Sequence, residues 1–170
     1  MKKILAIIIL LLAVMGISAL ATWTDGFTAW ELKELNEDNL VKLANYDAAF
    51  ETADYDDLDI EVDEDGVIAI EGENKGTEDL KIKVATVTLA KGEYTISSGA
   101  KGADDKTYYM SIVVGDKEII ADDGEDSTFK VESEETFEIY ITVCDGEKID
   151  TTFKPVVVEG DKAGSFYVIG

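Results

Sequence analysis

From residue 58 onward, apolar residues recur at every second position, the spacing at which side chains return to the same face of an extended strand. The cleanest instance is "TFEIYITVCDG". Phe137, Ile139, Ile141 and Val143 fall on one parity, and Glu138, Tyr140, Thr142 and Cys144 on the other. A helix would scatter the first set around its circumference, so this stretch reads as a strand with one dry face and one wet one. "LDIEVD" and "GVIAIE" alternate in the same way on either side of "EDG" at 64–66, a hairpin signal. In "LKIKVATVTL", Leu80, Ile82 and Val84 share one parity while Val87 and Leu89 take the other. A bulge, or a strand changing sheets, is expected near Ala85 and Thr86. "EYTIS", "TYYMSIVVG", "KEIIA", "TTFKPVVVE" and "SFYVIG" complete the series, with Gly, Asp and Asn turns between them. Short strands at such regular spacing predict a mostly β protein, an antiparallel β-sandwich of jelly-roll type over residues 58–170. The parity predicts a core containing Ile82, Val84, Tyr94, Met110, Ile112, Phe137, Ile139, Ile141 and Phe153.

The N-terminus obeys different rules. "MKKILAIIIL LLAVMGISAL ATW" opens with two lysines and continues as an uncharged apolar run from Ile4 to Ala21. Ala19 and Ala21 supply the small residues that signal peptidase accepts, so residues 1–21 read as a signal peptide cleaved after Ala21. The run also approaches the roughly 20 residues that cross a bilayer as a helix, with Trp23 where an interfacial aromatic sits, so a retained transmembrane anchor is the second reading. Its length beyond the usual h-region favours retention. Both readings place the remainder outside the cytoplasm, because Lys2 and Lys3 hold the N-terminus inside.

Residues 22–57 read as a spacer, or as a lid on one end of the sandwich. Leu32, Leu35, Leu40, Leu43 and Tyr46 recur at three- and four-residue spacings, which predicts one or two short helical segments with Asn36 as an N-cap. The aromatic trio Trp23, Phe27 and Trp30 reads as interface or packing material.

Composition removes whole classes of function. The chain has 37 acidic residues against 15 basic ones and a formal net charge of −22 even before the two leader lysines are discounted. Such a chain repels nucleic acid and anionic lipid, so no nucleic-acid partner is expected. His, Arg and Gln are absent and all the basic residues are Lys. The usual general base, the commonest metal ligand and the bidentate anion clamp are thereby missing. Serines and Cys144 lack a histidine to activate them. The many carboxylates lie in turns or on polar parities, in water, where a catalytic pair with one raised pKa is not expected. An enzyme is therefore not predicted. Cys144 is the single cysteine, so any disulfide it forms joins two chains; a small strand-end residue is the alternative.

The order of the later strands carries a resemblance. Gly92, Tyr94 and Thr95, then Tyr108 and Tyr109, then Phe129, Val131, Glu134, Glu135 and Thr136, then Phe153, Lys154 and Pro155 follow one another over about residues 58–160. This succession resembles a β-sandwich module of phage and prophage tail and minor structural proteins. It is also similar to carbohydrate-binding-module-like, galactose-binding-like jelly rolls. The resemblance implies the sandwich fold, recognition of a glycan or surface protein, and a structural calcium near a loop end. The candidate calcium loop is "ADDGEDS", with Asp122, Asp123, Glu125 and Asp126 as oxygen donors. "EVDEDG" at 61–66 has an acid spacing like the start of a calcium loop, but its twelfth position is Gly72 and its flanks are strands, so it reads as a turn. Two functions follow as expectations: an exported binding module, secreted or tethered to the membrane through its N-terminal helix, or a phage-derived structural protein whose sandwich packs against other copies.

Overall fold

The computed structural model describes residues 38–50, 53, 55, 57–100, 107–122 and 127–162. Among these described residues ten strands run in order: β1 (Leu58–Val62), β2 (Ile68–Glu73), β3 (Leu80–Leu89), β4 (Gly92–Ser97), β5 (Tyr108–Val114), β6 (Lys117–Asp122), β7 (Ser127–Val131), β8 (Glu135–Val143), β9 (Lys148–Phe153) and β10 (Val156–Glu159). They form three antiparallel sheets of order β1-β2-β9, β10-β4-β7 and β3-β8-β5-β6. Inner residues of all three sheets meet in one hydrophobic cluster, the arrangement of a β-sandwich. The nine core residues expected from parity are all buried.

The parity slip in β3 is a bulge. Pairing with β8 shifts between Lys83 and Ala85, leaving Val84 as the extra residue, and β3 then continues along β8 to Leu89. A change of sheet does occur, but elsewhere. "TTFKPVVVE" is two strands, β9 pairing with β2 and β10 pairing with β4. The break falls at Lys154 and Pro155, where proline has no N–H to continue a ladder. "STFKV" forms the further strand β7. The expected strand "SFYVIG" lies outside the described residues, as do the apolar run 4–21 and the aromatics at 23, 27 and 30. Among the described residues no helix is long and apolar enough to cross a membrane.

The β1–β2 hairpin is built as its turn sequence predicts. Asp63 Oδ1 accepts the backbone N–H groups of Asp65 and Val67 at 2.9 and 2.8 Å, and Gly66 takes φ +78°. Gly72, at φ +142°, passes so close to Asp57 that an added Cβ would lie 2.0 Å from its carbonyl oxygen. No side chain fits there.

Residues 38–50 form a strap along one side of the sandwich rather than a helical face. Their helical content after Asp38 is a single 3-10 turn, Leu43–Asn45. Leu40 and Leu43, which the helical spacing put on an apolar face, are 40% and 46% exposed. Val41 and Phe50 carry the strap into the hydrophobic core, and polar bonds fix it to the sheet edges. Asn39 is buried; its Nδ2 donates to Pro155 O (2.8 Å) and its Oδ1 accepts from Val157 N (2.9 Å) and Val41 N (3.0 Å). Leu40 N donates to Val157 O at 2.8 Å. Further along, Tyr46 bridges to Ala85, and Asp47 N donates to Val84 O at 3.0 Å. The strap therefore satisfies backbone groups at two sheet edges, β10 and β3, that would otherwise be open.

Candidate functional site

Strand alternation that buries Ile139, Ile141, Met110 and Ile112 turns their neighbours outward. The outer face of the β3-β8-β5-β6 sheet thereby collects Lys81, Lys83, Glu138, Tyr140, Thr142, Tyr109 and Ser111. Register sets them in rows. Lys81, Thr142 and Tyr109 are cross-strand partners, and so are Lys83, Tyr140 and Ser111. The two tyrosines thus occupy diagonal positions, close enough for aromatic side chains to meet. Both are half-buried, while Ser111 and Thr142 beside them are buried although they lie on the polar parity. Thr142 Oγ1 is sequestered without a partner that meets hydrogen-bond geometry.

An ionic network fixes the second row. Lys83 Nζ donates to Glu138 Oε1 at 2.6 Å, and Tyr140 OH donates to Glu138 Oε2 at 3.0 Å. Asp47 of the strap lies 3.9 Å from the same ammonium. The hydrogen bonds from Lys83 and Tyr140 hold the Glu138 carboxyl below the usual carboxylate range. The bond to Glu138 raises Lys83 in turn. Burial, then the bond to Glu138, pushes the Tyr140 phenol up, and burial does the same to Tyr109. The shifts of Glu138, Lys83, Tyr140 and Tyr109 all run in the direction that keeps each group's ordinary charge at neutral pH. The face can stack, donate and accept.

The acidic loop is only partly within the described residues. Asp122 ends β6 opposite Met110 with its side chain buried, and its Oδ2 accepts the backbone N–H of Ser98. Asp123, Glu125 and Asp126 lie outside the described residues. Among those described, no group of three or more His, Cys, Asp or Glu residues is placed to hold a metal ion. Cys144 follows β8 on the same outer face and is half-buried. Burial first, then Asp79, Glu147 and Asp145, pushes its thiol up, which disfavours the thiolate that disulfide exchange requires. A shallow depression of about 530 Å³ lies between Asp57, Glu71, Glu73, Asp150, Lys75 and Lys148. Lys75 pairs with Asp57 at 2.7 Å there, leaving an open ionic surface.

One cluster had no clear signal in the sequence. Lys154 is buried at the β9–β10 break, and its Nζ donates to Asp65 O. Burial lowers its pKa, Asp63 and Asp65 oppose that, and Lys42 of the strap adds to it. Beside it Tyr46 OH donates to Gly66 O at 2.5 Å, and burial followed by Asp63 pushes that phenol well above its ordinary range. A Cβ on Gly66 would lie 3.0 Å from the Tyr46 hydroxyl and 3.2 Å from Lys154 Nζ. Strap, hairpin turn and strand break are thus joined at one glycine. The only available hint was a lysine set between Phe153 and Pro155.

No known protein family matches the chain, and no curated protein does. Among solved structures, a similar chain belongs to the crystal structure of accessory secretory proteins 1, 2 and 3 of Streptococcus pneumoniae. The two are 10% identical, the similarity covers 71% of this chain and 98% of the other, and the TM-score is 0.45. Likeness at that level carries no functional argument, and the class that rests on this chain's own geometry is an antiparallel, sandwich-like β protein.

Proposed function

We infer that the chain is an exported, non-catalytic binding module, secreted or tethered through residues 1–21, that recognises a glycan or surface partner with the outer face of its β3-β8-β5-β6 sheet. The observation that carries this reading is the placement of half-buried Tyr109 and Tyr140 at diagonal positions on one face with an ordered Lys83–Glu138 network. Tyrosine presents a broad apolar ring and a polar tip at small conformational cost, which suits it to partners that are polar at their edges and apolar on their faces. A sugar ring has that character. The net charge of −22 directs the expectation to neutral or amino sugars, since anionic glycans are repelled. The protein should bind an array of neutral oligosaccharides, and Tyr109→Ala with Tyr140→Ala should remove the binding while leaving the fold intact. Absence of glycan binding together with co-sedimentation with phage-like particles would favour the structural alternative.

A further inference from the structure

We propose that residues 38–50 are a releasable latch, pinned by Asn39, whose opening bares one strand edge in the β10-β4-β7 sheet and one in the β3-β8-β5-β6 sheet. The strap is attached chiefly at two points. At the first, the Asn39 amide and Leu40 N–H satisfy Pro155 O and both backbone groups of Val157. At the second, Tyr46 and Asp47 close on Val84 and Ala85 of β3, and the Tyr46 hydroxyl reaches the hairpin at Gly66. Leu40 and Leu43 face solvent, so the apolar burial of the strap rests on Val41, Phe50 and the partly buried Tyr46 that packs against Phe50. The strands beneath are held far more densely. β8 pairs along its length with β3 on one side and β5 on the other. A segment with few buried apolar side chains and few backbone bonds opens at lower free energy than the ladders it covers. One side-chain amide at Asn39 carries bonds that a strand would spread over several residues, which makes it the pin.

Opening has a specific consequence. It frees the Val157 N–H and C=O on an edge whose residues Val156, Val157 and Val158 are apolar, and it uncovers Val84 O on the bulge of β3. Such an edge is a template for an added strand. The latch controls that exposure independently of what the outer face binds.

Native-state hydrogen exchange on the full chain, in a series of sub-denaturing urea concentrations, tests this. The amides of Leu40, Asp47 and Val157 should exchange through one shared opening that depends little on urea, about tenfold or more faster than Ile139 and Ile141. Asn39→Ala should accelerate Asp47, at the far anchor, as well as its immediate neighbours, and leave the β8 amides unchanged. If only Leu40 and Val157 respond, the strap is not one unit and the proposal fails. It fails equally if the three amides share the rate and urea dependence of β8. Should Asn39→Ala not fold, the unmodified chain and Tyr46→Phe, which removes only the hydroxyl bond to Gly66, decide the question by the same comparison.

Discussion

Ile139→Ala probes the β architecture at its centre. Ile139 is fully buried in the central strand β8, with Ala85 of β3 opposite on one side and Ile112 of β5 on the other, both also fully buried. Truncation removes three side-chain carbons, and the cost is the lost transfer free energy plus the cavity that remains, about 2–5 kcal/mol for such a change. The site has little means to collapse. Ala85 has no length to swing into the space, and β8 is fixed by ladders on both sides, so the upper half of that range, about 3–5 kcal/mol, is expected. At roughly 3–4 °C per kcal/mol for a domain of this size, the melting temperature should fall by about 9–20 °C. Urea unfolding followed by tyrosine fluorescence measures the loss directly, with the m-value unchanged. Glu138→Ala, one residue away on the outer face, removes a largely solvent-screened ion pair and should cost about 1 kcal/mol or less. A loss under 1 kcal/mol for Ile139→Ala, or a larger loss for Glu138→Ala, would refute the parity on which the fold rests.

Two further outcomes follow from buried charge. Lys154 has a lowered pKa in the fold relative to its ordinary 10.5, so the unfolded chain binds its proton more tightly; the unfavourable term is at full strength below the folded pKa and disappears as pH rises towards 10.5. In paired urea titrations, the stability of the unmodified protein relative to Lys154→Met should therefore increase from neutral to alkaline pH, and a decrease would contradict the burial. Asp122→Asn should cost about 1–3 kcal/mol, because its carboxylate accepts the Ser98 N–H inside the protein. That loss should be the same by thermal melting with millimolar calcium as with a chelator, and a loss seen only with calcium would make Asp122 a metal ligand.

Much of the fold was legible because strand parity is a local property. Phe137 to Val143 declare their dry face in sequence, and the whole predicted core is buried. The bulge in β3 announced itself as a parity slip one residue from where it lies. The change of sheet at Lys154 and Pro155 was hidden, since "TTFKPVVVE" alternates and then turns continuously apolar without naming a new partner. The strap was legible only in part for a related reason. Leu40, Leu43 and Tyr46 have helical spacing, but burial goes to Asn39, Val41 and Phe50, because long-range bonds from Asn39 to Pro155 and Val157 outweigh local propensity. Of the outer face, the outward parity of Tyr140 and Thr142 could be read directly. Their placement beside Tyr109 and Ser111 depends on β5 pairing with β8, a contact that no local pattern encodes.

The account stands on recognition by the outer face of the four-stranded sheet, and an amide and side-chain chemical-shift titration with a neutral oligosaccharide that binds on the array addresses it most directly. Tyr109, Ser111, Lys83, Tyr140 and Thr142 should shift together and saturably, with the β1-β2-β9 sheet unaffected. Saturable shifts confined to another surface, such as the depression between Asp57 and Asp150, would contradict it.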